Sequence, residues 1–226
     1  MGLDWNPLGK PKPGTEEEFA TLFKQLGELP VKPGWFERRR LRKQGIDRDA
    51  IKKRWEEIQI MPHETVGAPQ VGSSAEADAW AQQRYNEIPP PKPTEEEFWR
   101  EMKGHYVLEL APPCDGFPFY SNWTMGYVER FSFRGEFLTD AEDIVDEKTL
   151  SKCYESCLAA ELATLGQELR TSVTAYARPK NLEQIEFANG HDFEHGTDES
   201  KIHILYSAAR WCEYWSSRGH GLEAYW

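Results

Sequence analysis

The stretch from Asp198 to about Gly219 constrains the fold of this chain more than any other. At 100° per residue, Ile204, Leu205, Ala208, Ala209, Trp211, Cys212 and Trp215 fall on one broad apolar face. A helix face that wide, carrying two indoles, has to be covered by other parts of the chain. His203, Tyr206, Ser207, Arg210, Glu213 and Tyr214 form the opposing polar stripe, expected to meet solvent or to line one wall of a pocket. Ahead of it, from about Leu150, the positions Leu158, Leu162, Leu165, Leu169, Val173 and Tyr176 keep helical spacing until Pro179 stops the run. Two long helices therefore close the chain.

The first half reads as short helices separated by proline. "KPGTEEEF" at Lys12–Phe19 is echoed by "KPTEEEF" at Lys92–Phe98, but the sequences after them diverge. The shared part is a helix-start signal, with Thr15 and Glu18, and Thr94 and Glu97, as capping boxes. Ile51, Trp55 and Ile58 are spaced for one helix face, and Ala77, Trp80, Ala81 and Tyr85 for another, with Ser73 and Glu76 as a third box. "IPPPKP" at Ile88–Pro93 forces extended backbone and marks the expected internal boundary. Residues 1–93 then form an N-terminal helical arm or subdomain, and residues 94–226 an α+β core.

Within that core the period changes. "HYVLEL" at His105–Leu110 and "GYVERFSFR" at Gly126–Arg134 alternate, which predicts antiparallel strands joined by an aromatic loop. The eight aromatics between Phe117 and Phe137 are expected to fill the core between sheet and helices. The predicted fold class is α+β, mainly helical, with a small central antiparallel sheet.

The net charge of −11 excludes general affinity for nucleic acid or anionic membrane. Segment 32–54 is the exception: ten Lys or Arg against three acids give +7 there, leaving −18 elsewhere. Nucleic-acid contact is unlikely and confined to that segment, whose simpler roles are a solvated helix face or an arm docked on the acidic C-terminal half. No basic leader with an apolar run opens the sequence, and no apolar run approaches membrane-spanning length. A cytoplasmic protein with no membrane partner is expected, in which Cys114, Cys153, Cys157 and Cys212 stay reduced.

The nearest thing to a chemical signature is "HDFEHGTDESKIH", His191–His203. His191, Asp192, Glu194, His195 and His203 supply the nitrogen and oxygen ligands that zinc or another divalent metal accepts. Gly190 and Gly196 bracket the histidine pair, so no helix holds them one turn apart, and only tertiary folding could assemble a site. Cys114 and Asp115 follow a predicted strand, where a nucleophile can be presented, although Asp-Gly after Pro-Pro is first of all a turn. Arg210 and Glu213, on the polar stripe, complete the catalytic candidates. Cys153 and Cys157, one helical turn apart, are expected to pack, as is Cys212. No phosphate loop, dinucleotide fingerprint, nucleophile elbow or kinase set occurs, so no cofactor-binding residues are assigned.

Two functional readings stand. One is a non-catalytic interaction protein with a charge-segregated surface and a protein partner, a basic one included, as an immunity or antitoxin protein neutralises a toxin. The other is a metal-dependent hydrolase built on His191, His195 and His203.

Overall fold

The computed structural model describes residues 3–30, 34–43, 45–111, 132–188 and 193–225. Helices span Glu16–Glu28 (α1), Trp35–Lys43 (α2), Arg48–Glu57 (α3), Pro62–Thr65 (α4), Ala75–Glu87 (α5), Glu95–Met102 (α6), Glu147–Lys152 (α7), Ala159–Ala177 (α8) and Asp198–Ser216 (α9). Strands are short: Asp4–Pro7 (β1), Lys10–Pro11 (β2), Gln59–Ile60 (β3) and Leu222–Tyr225 (β4). The fold class is the expected one, mainly helical α+β with small antiparallel sheets, but other segments supply the strands. The chain groups into two compact units, Met1–Ile60 with Phe117–Trp226, and Met61–Gly116.

The larger unit is built on α9. The Thr197 hydroxyl caps its start by accepting the Ser200 N–H, and Asp198 and Glu199 suit the positive end of the helix dipole. Gly219, at φ +84°, ends it: the Gly219 and His220 N–H groups donate back to the Ser216 and Trp215 carbonyls at 2.9 and 3.0 Å. Between these caps 13 of its 19 residues are buried, so the polar stripe is covered as well as the apolar face. Its main cover is α8, which buries Leu162, Leu165, Leu169, Val173 and Ala177. Gly166 allows the close crossing, since a Cβ there would stand 2.9 Å from Cys212 Cβ and 3.3 Å from the Ala209 carbonyl oxygen.

The two ends of the described chain meet in one sheet. β1 and β4 pair antiparallel, Asp4 opposite Tyr225 and Pro7 opposite Leu222. Trp5 is fully buried there, with its ring centroid 4.8 Å from Phe133 and 5.5 Å from Trp211, and its indole N–H donating to the Cys153 carbonyl at 2.8 Å. A second small sheet pairs β2 with β3 and closes the α1–α3 hairpin, where Phe19 and Trp55 stack at 3.8 Å over Ile58. Arg54 clamps Glu18 across the same pair through two hydrogen bonds of 2.7 and 2.8 Å.

The unit Met61–Gly116 has its own core of Val71, Ala77, Ala81, Phe98 and Val107, flanked by Trp80, Tyr85 and Trp99. Ile88–Pro93 lies inside it, joining α5 to α6. The Thr94–Glu97 box forms as expected, with both reciprocal bonds present.

Several local expectations give way to tertiary contacts. Glu18 is taken by Arg54, and Thr15 donates to the Lys12 carbonyl instead of capping α1. The Ser73–Glu76 box does not form, because α5 starts one residue later, at Ala75. His105–Leu110 is not a strand: Tyr106 makes a single bridge to Gln70, and Leu108–Leu110 turns as a 3-10 helix. The expected strand Gly126–Arg134 lies outside the described residues up to Phe131, and Phe133 makes one bridge, to Trp5. The run from Leu150 is two helices, broken between Lys152 and Ala159 because Cys157 pairs with Leu222 through bonds of 2.9 and 2.8 Å. Cys153 and Cys157 therefore do not share a helix face.

That Cys157–Leu222 pairing leaves no room beside it, since a Cβ on Gly221 would fall 2.1 Å from the Cys157 carbonyl oxygen. Gly221→Ala is expected to cost about 1–3 kcal/mol of unfolding free energy. Gly27→Ala, in α1 with open space around it, is expected to be neutral or to gain up to about 1 kcal/mol. Urea unfolding of both variants checks the pair.

Candidate functional site

The charged residues of α9 are assembled by α8 and by the 3-10 turn Glu183–Phe187. Arg170, on α8, donates through Nε and Nη2 to the two carboxylate oxygens of Glu213 at 2.5 and 2.8 Å, and through Nη1 to Glu186. Arg210 donates to the Glu186 backbone carbonyl at 2.9 Å. The Arg170 guanidinium also stands 6.0 Å from the Tyr206 ring, whose hydroxyl lies 3.2 Å from the Thr174 hydroxyl. The sequence candidates Arg210 and Glu213 thus come together, with Arg170 and Glu186 between them. The hydrogen bonds from Glu213 and Glu186 push the Arg170 pKa further up, which keeps the guanidinium charged.

A second polar cluster covers the start of α9. Asp198 accepts from the Tyr176 hydroxyl and from Lys180 Nζ, each at 2.7 Å, and Lys201 binds both oxygens of Asp143 at 2.9 and 2.8 Å. The Lys180 and Tyr176 hydrogen bonds hold the Asp198 carboxyl below its usual range. Glu18, Glu87, Glu97 and Asp146 are displaced in the same direction, each by hydrogen bonds to its charged form. A carboxylate serving as general acid or base near neutrality needs the opposite displacement.

The histidines of the loop part company. His195 is 64% exposed, with Nε2 3.0 Å from Asp140 Oδ2. His203 is buried behind Phe193, at 5.1 Å between ring centroids, and is hydrogen-bonded to the Ala188 backbone. Glu194 is exposed, and its carbonyl accepts from the Thr197 N–H and hydroxyl. Among the described residues no three His, Cys, Asp or Glu side chains gather to hold a metal ion. His191, Asp192, Cys114 and Asp115 lie outside the described residues. Cys153, Cys157 and Cys212 are free thiols, and burial pushes the first two up to about 12 and the third well above its usual value, far from a reactive thiolate.

The polar stripe of α9 is not a solvent face: His203, Tyr206, Ser207 and Tyr214 are all buried. Nothing in local spacing pairs Arg170 with Glu213 across 43 positions, so the clamp was not readable from either helix alone. The available signal was the polar stripe itself, which on a helix with so wide an apolar face required partners. No family model matches the chain, and no curated protein or solved structure does either.

Two outcomes follow from these contacts. Arg170→Gln leaves Glu213 and Glu186 facing each other without their cation and is expected to cost about 1–2 kcal/mol. The low end applies because Glu213 is 40% exposed and water screens it. The second concerns His203 and His220, whose pKa burial lowers to about 4 from 6.5. Both stay neutral in the folded chain, while the unfolded chain takes up protons near 6.5. Their contribution is complete above that pH and is lost as the pH falls towards 4, by up to about 1.4 kcal/mol per pH unit for each imidazole. Urea midpoints measured between about pH 7 and about pH 4.5 read this slope, and His220→Gln should make it shallower.

Proposed function

We propose that this chain is a non-catalytic cytoplasmic interaction protein that binds a basic macromolecular partner through its carboxylate-rich surface, as an immunity or antitoxin protein does. The observation that carries the reading is how the cations of the C-terminal half are spent. Lys152 binds Glu168, Arg170 binds Glu186 and Glu213, Arg178 binds Glu183, Lys180 binds Asp198 and Lys201 binds Asp143. Over residues 140–161 seven Asp or Glu face two Lys, a local −5. Glu142, Glu147 and Glu155 are exposed there and carry no ion pair among the described residues.

Among the described residues, the basic segment makes no ion pair with this surplus. Its ion pairs, among the described residues, run from Arg54 to Glu18 and Glu57 and from Lys52 to Glu56, all in the N-terminal region. The chain therefore keeps a large negative field for steering a cationic partner. Among the described residues no helix is long and apolar enough to cross a membrane.

The rival reading, a metal-dependent hydrolase at His191, Asp192, Glu194, His195 and His203, is favoured by one contact, His195 beside Asp140. Capture from native cytoplasm separates the two. A basic partner is expected whose retention falls about tenfold or more at high salt and in the triple variant Glu142→Lys, Glu147→Lys, Glu155→Lys. Retention indifferent to both changes contradicts the interaction reading. Stoichiometric zinc in the untagged protein, lost in His191→Ala or His195→Ala, would establish the rival.

A further inference from the structure

The helix α2 presents two adjacent, strongly exposed large apolar groups. Trp35 is 66% and Phe36 80% exposed, and the two rings meet edge to face with centroids 4.9 Å apart. This helix is anchored on its other side. Leu41 is buried, and at 100° per residue it lies about 120° from Trp35 and about 140° from Phe36 around the axis. The aromatic pair is therefore aimed away from its own core while the helix stays attached. Arg39, 5.7 Å from the Trp35 ring, and the exposed Arg40 and Lys43 surround the pair with positive charge.

The C-terminal end of α2 adjoins a hollow. A cleft of about 390 Å³ lies between the end of α1 and the start of α3, with Leu29, Ile46, Ala50 and Ile51 as its apolar lining and Glu28 and Asp47 at its rim. Asp47 is fixed as the cap of α3, accepting the Asp49 and Ala50 N–H groups at 3.0 and 3.2 Å. The Ile46 N–H donates to the Leu41 carbonyl at 2.9 Å, which ties the lining of the cleft to α2. The aromatic pair is accompanied by cations and the cleft by carboxylates.

We propose that α2 is a self-association element, in which the Trp35–Phe36 pair of one copy seats in the Leu29–Ile51 cleft of a second copy, and reciprocally. Because the Leu41–Ile46 bond joins the cleft to the helix that carries the aromatic pair, a two-fold arrangement can engage both halves at once and close the assembly as a dimer. Aromatic residues set in an apolar pocket with charged edges are the usual anchors of such interfaces. Arg39 and Arg40 of each copy would face Glu28 and Asp47 of the other. This surface shares no residue with the carboxylate-rich segment 140–161 on which the proposed basic partner rests.

Sedimentation velocity on the full chain, from micromolar to submillimolar concentration at low salt, tests the proposal. The wild-type chain is expected to dimerise, and Trp35→Ala with Phe36→Ala, or Ala50→Arg in the cleft, to weaken the dimer about tenfold or more. Far-UV circular dichroism verifies that the variants stay folded. Arg39→Glu with Arg40→Glu, and separately Glu28→Lys, should each weaken self-association, and mixing the two variants should restore it, because one contact then pairs the reversed charges and the other the original ones. A wild-type chain that stays monomeric throughout overturns the proposal, as does a dimer indifferent to the aromatic, cleft and charge variants. A monomer that instead captures an acidic protein through Trp35 and Phe36 overturns the second-copy assignment.

Discussion

The burial of α9 is the constraint on which the rest of the structure depends. A helix covered on nearly all sides needs partners for its backbone ends and its charged and hydroxyl side chains, because each buried orphan costs on the order of 1–3 kcal/mol. Its start is closed by Thr197 and its end by Gly219. Arg210 is satisfied by the Glu186 carbonyl, Glu213 by Arg170 and Tyr206 by Thr174. The turn Glu183–Phe187 has to sit where it does, since it brings Glu186 to both arginines. The close α8–α9 crossing in turn requires Gly166.

The chain termini are bound into the same core by two aromatic anchors. Trp5 brings β1 against Phe133, the end of α7 and Trp211 of α9. His220 directs Nδ1–H to the Leu8 carbonyl at 2.7 Å and meets Trp215 edge to face. Each anchor couples residues about 150–210 positions apart, so the N-terminal strand contributes to the core that the last helix organises. Of the candidate residues in the sequence, Arg210, Glu213 and His203 each contribute a contact that holds α9 in place.

Much of this was legible in the residues. The approximate extent of α9, its apolar face, the Thr94–Glu97 box and the mainly helical class all follow from spacing and capping, which act over a few residues. What was not legible depends on partners distant in sequence. "DWNP" and "LEAY" have no alternation long enough to announce strands, and they pair only because Trp5 needs burial. "HYVLEL" alternates well, yet Tyr106 makes an isolated bridge to Gln70 and Leu108–Leu110 turns as a 3-10 helix. The Leu150–Tyr176 run keeps helical period through a break that Cys157 makes to reach Leu222. The burial of His203 depended on Phe193 and Ala188, which nothing in the composition of the histidine-rich loop indicated.

Hydrogen exchange on the native protein tests most directly whether the molecule is organised around α9 with its interaction surfaces outside it. The account predicts that the amides from Ile204 to Cys212 exchange only through global unfolding, together with those of α8 facing them, while the amides of α2 exchange through local opening. If the α9 amides exchanged as fast as those of α2, or long before global unfolding, α9 would not be the element on which the fold depends.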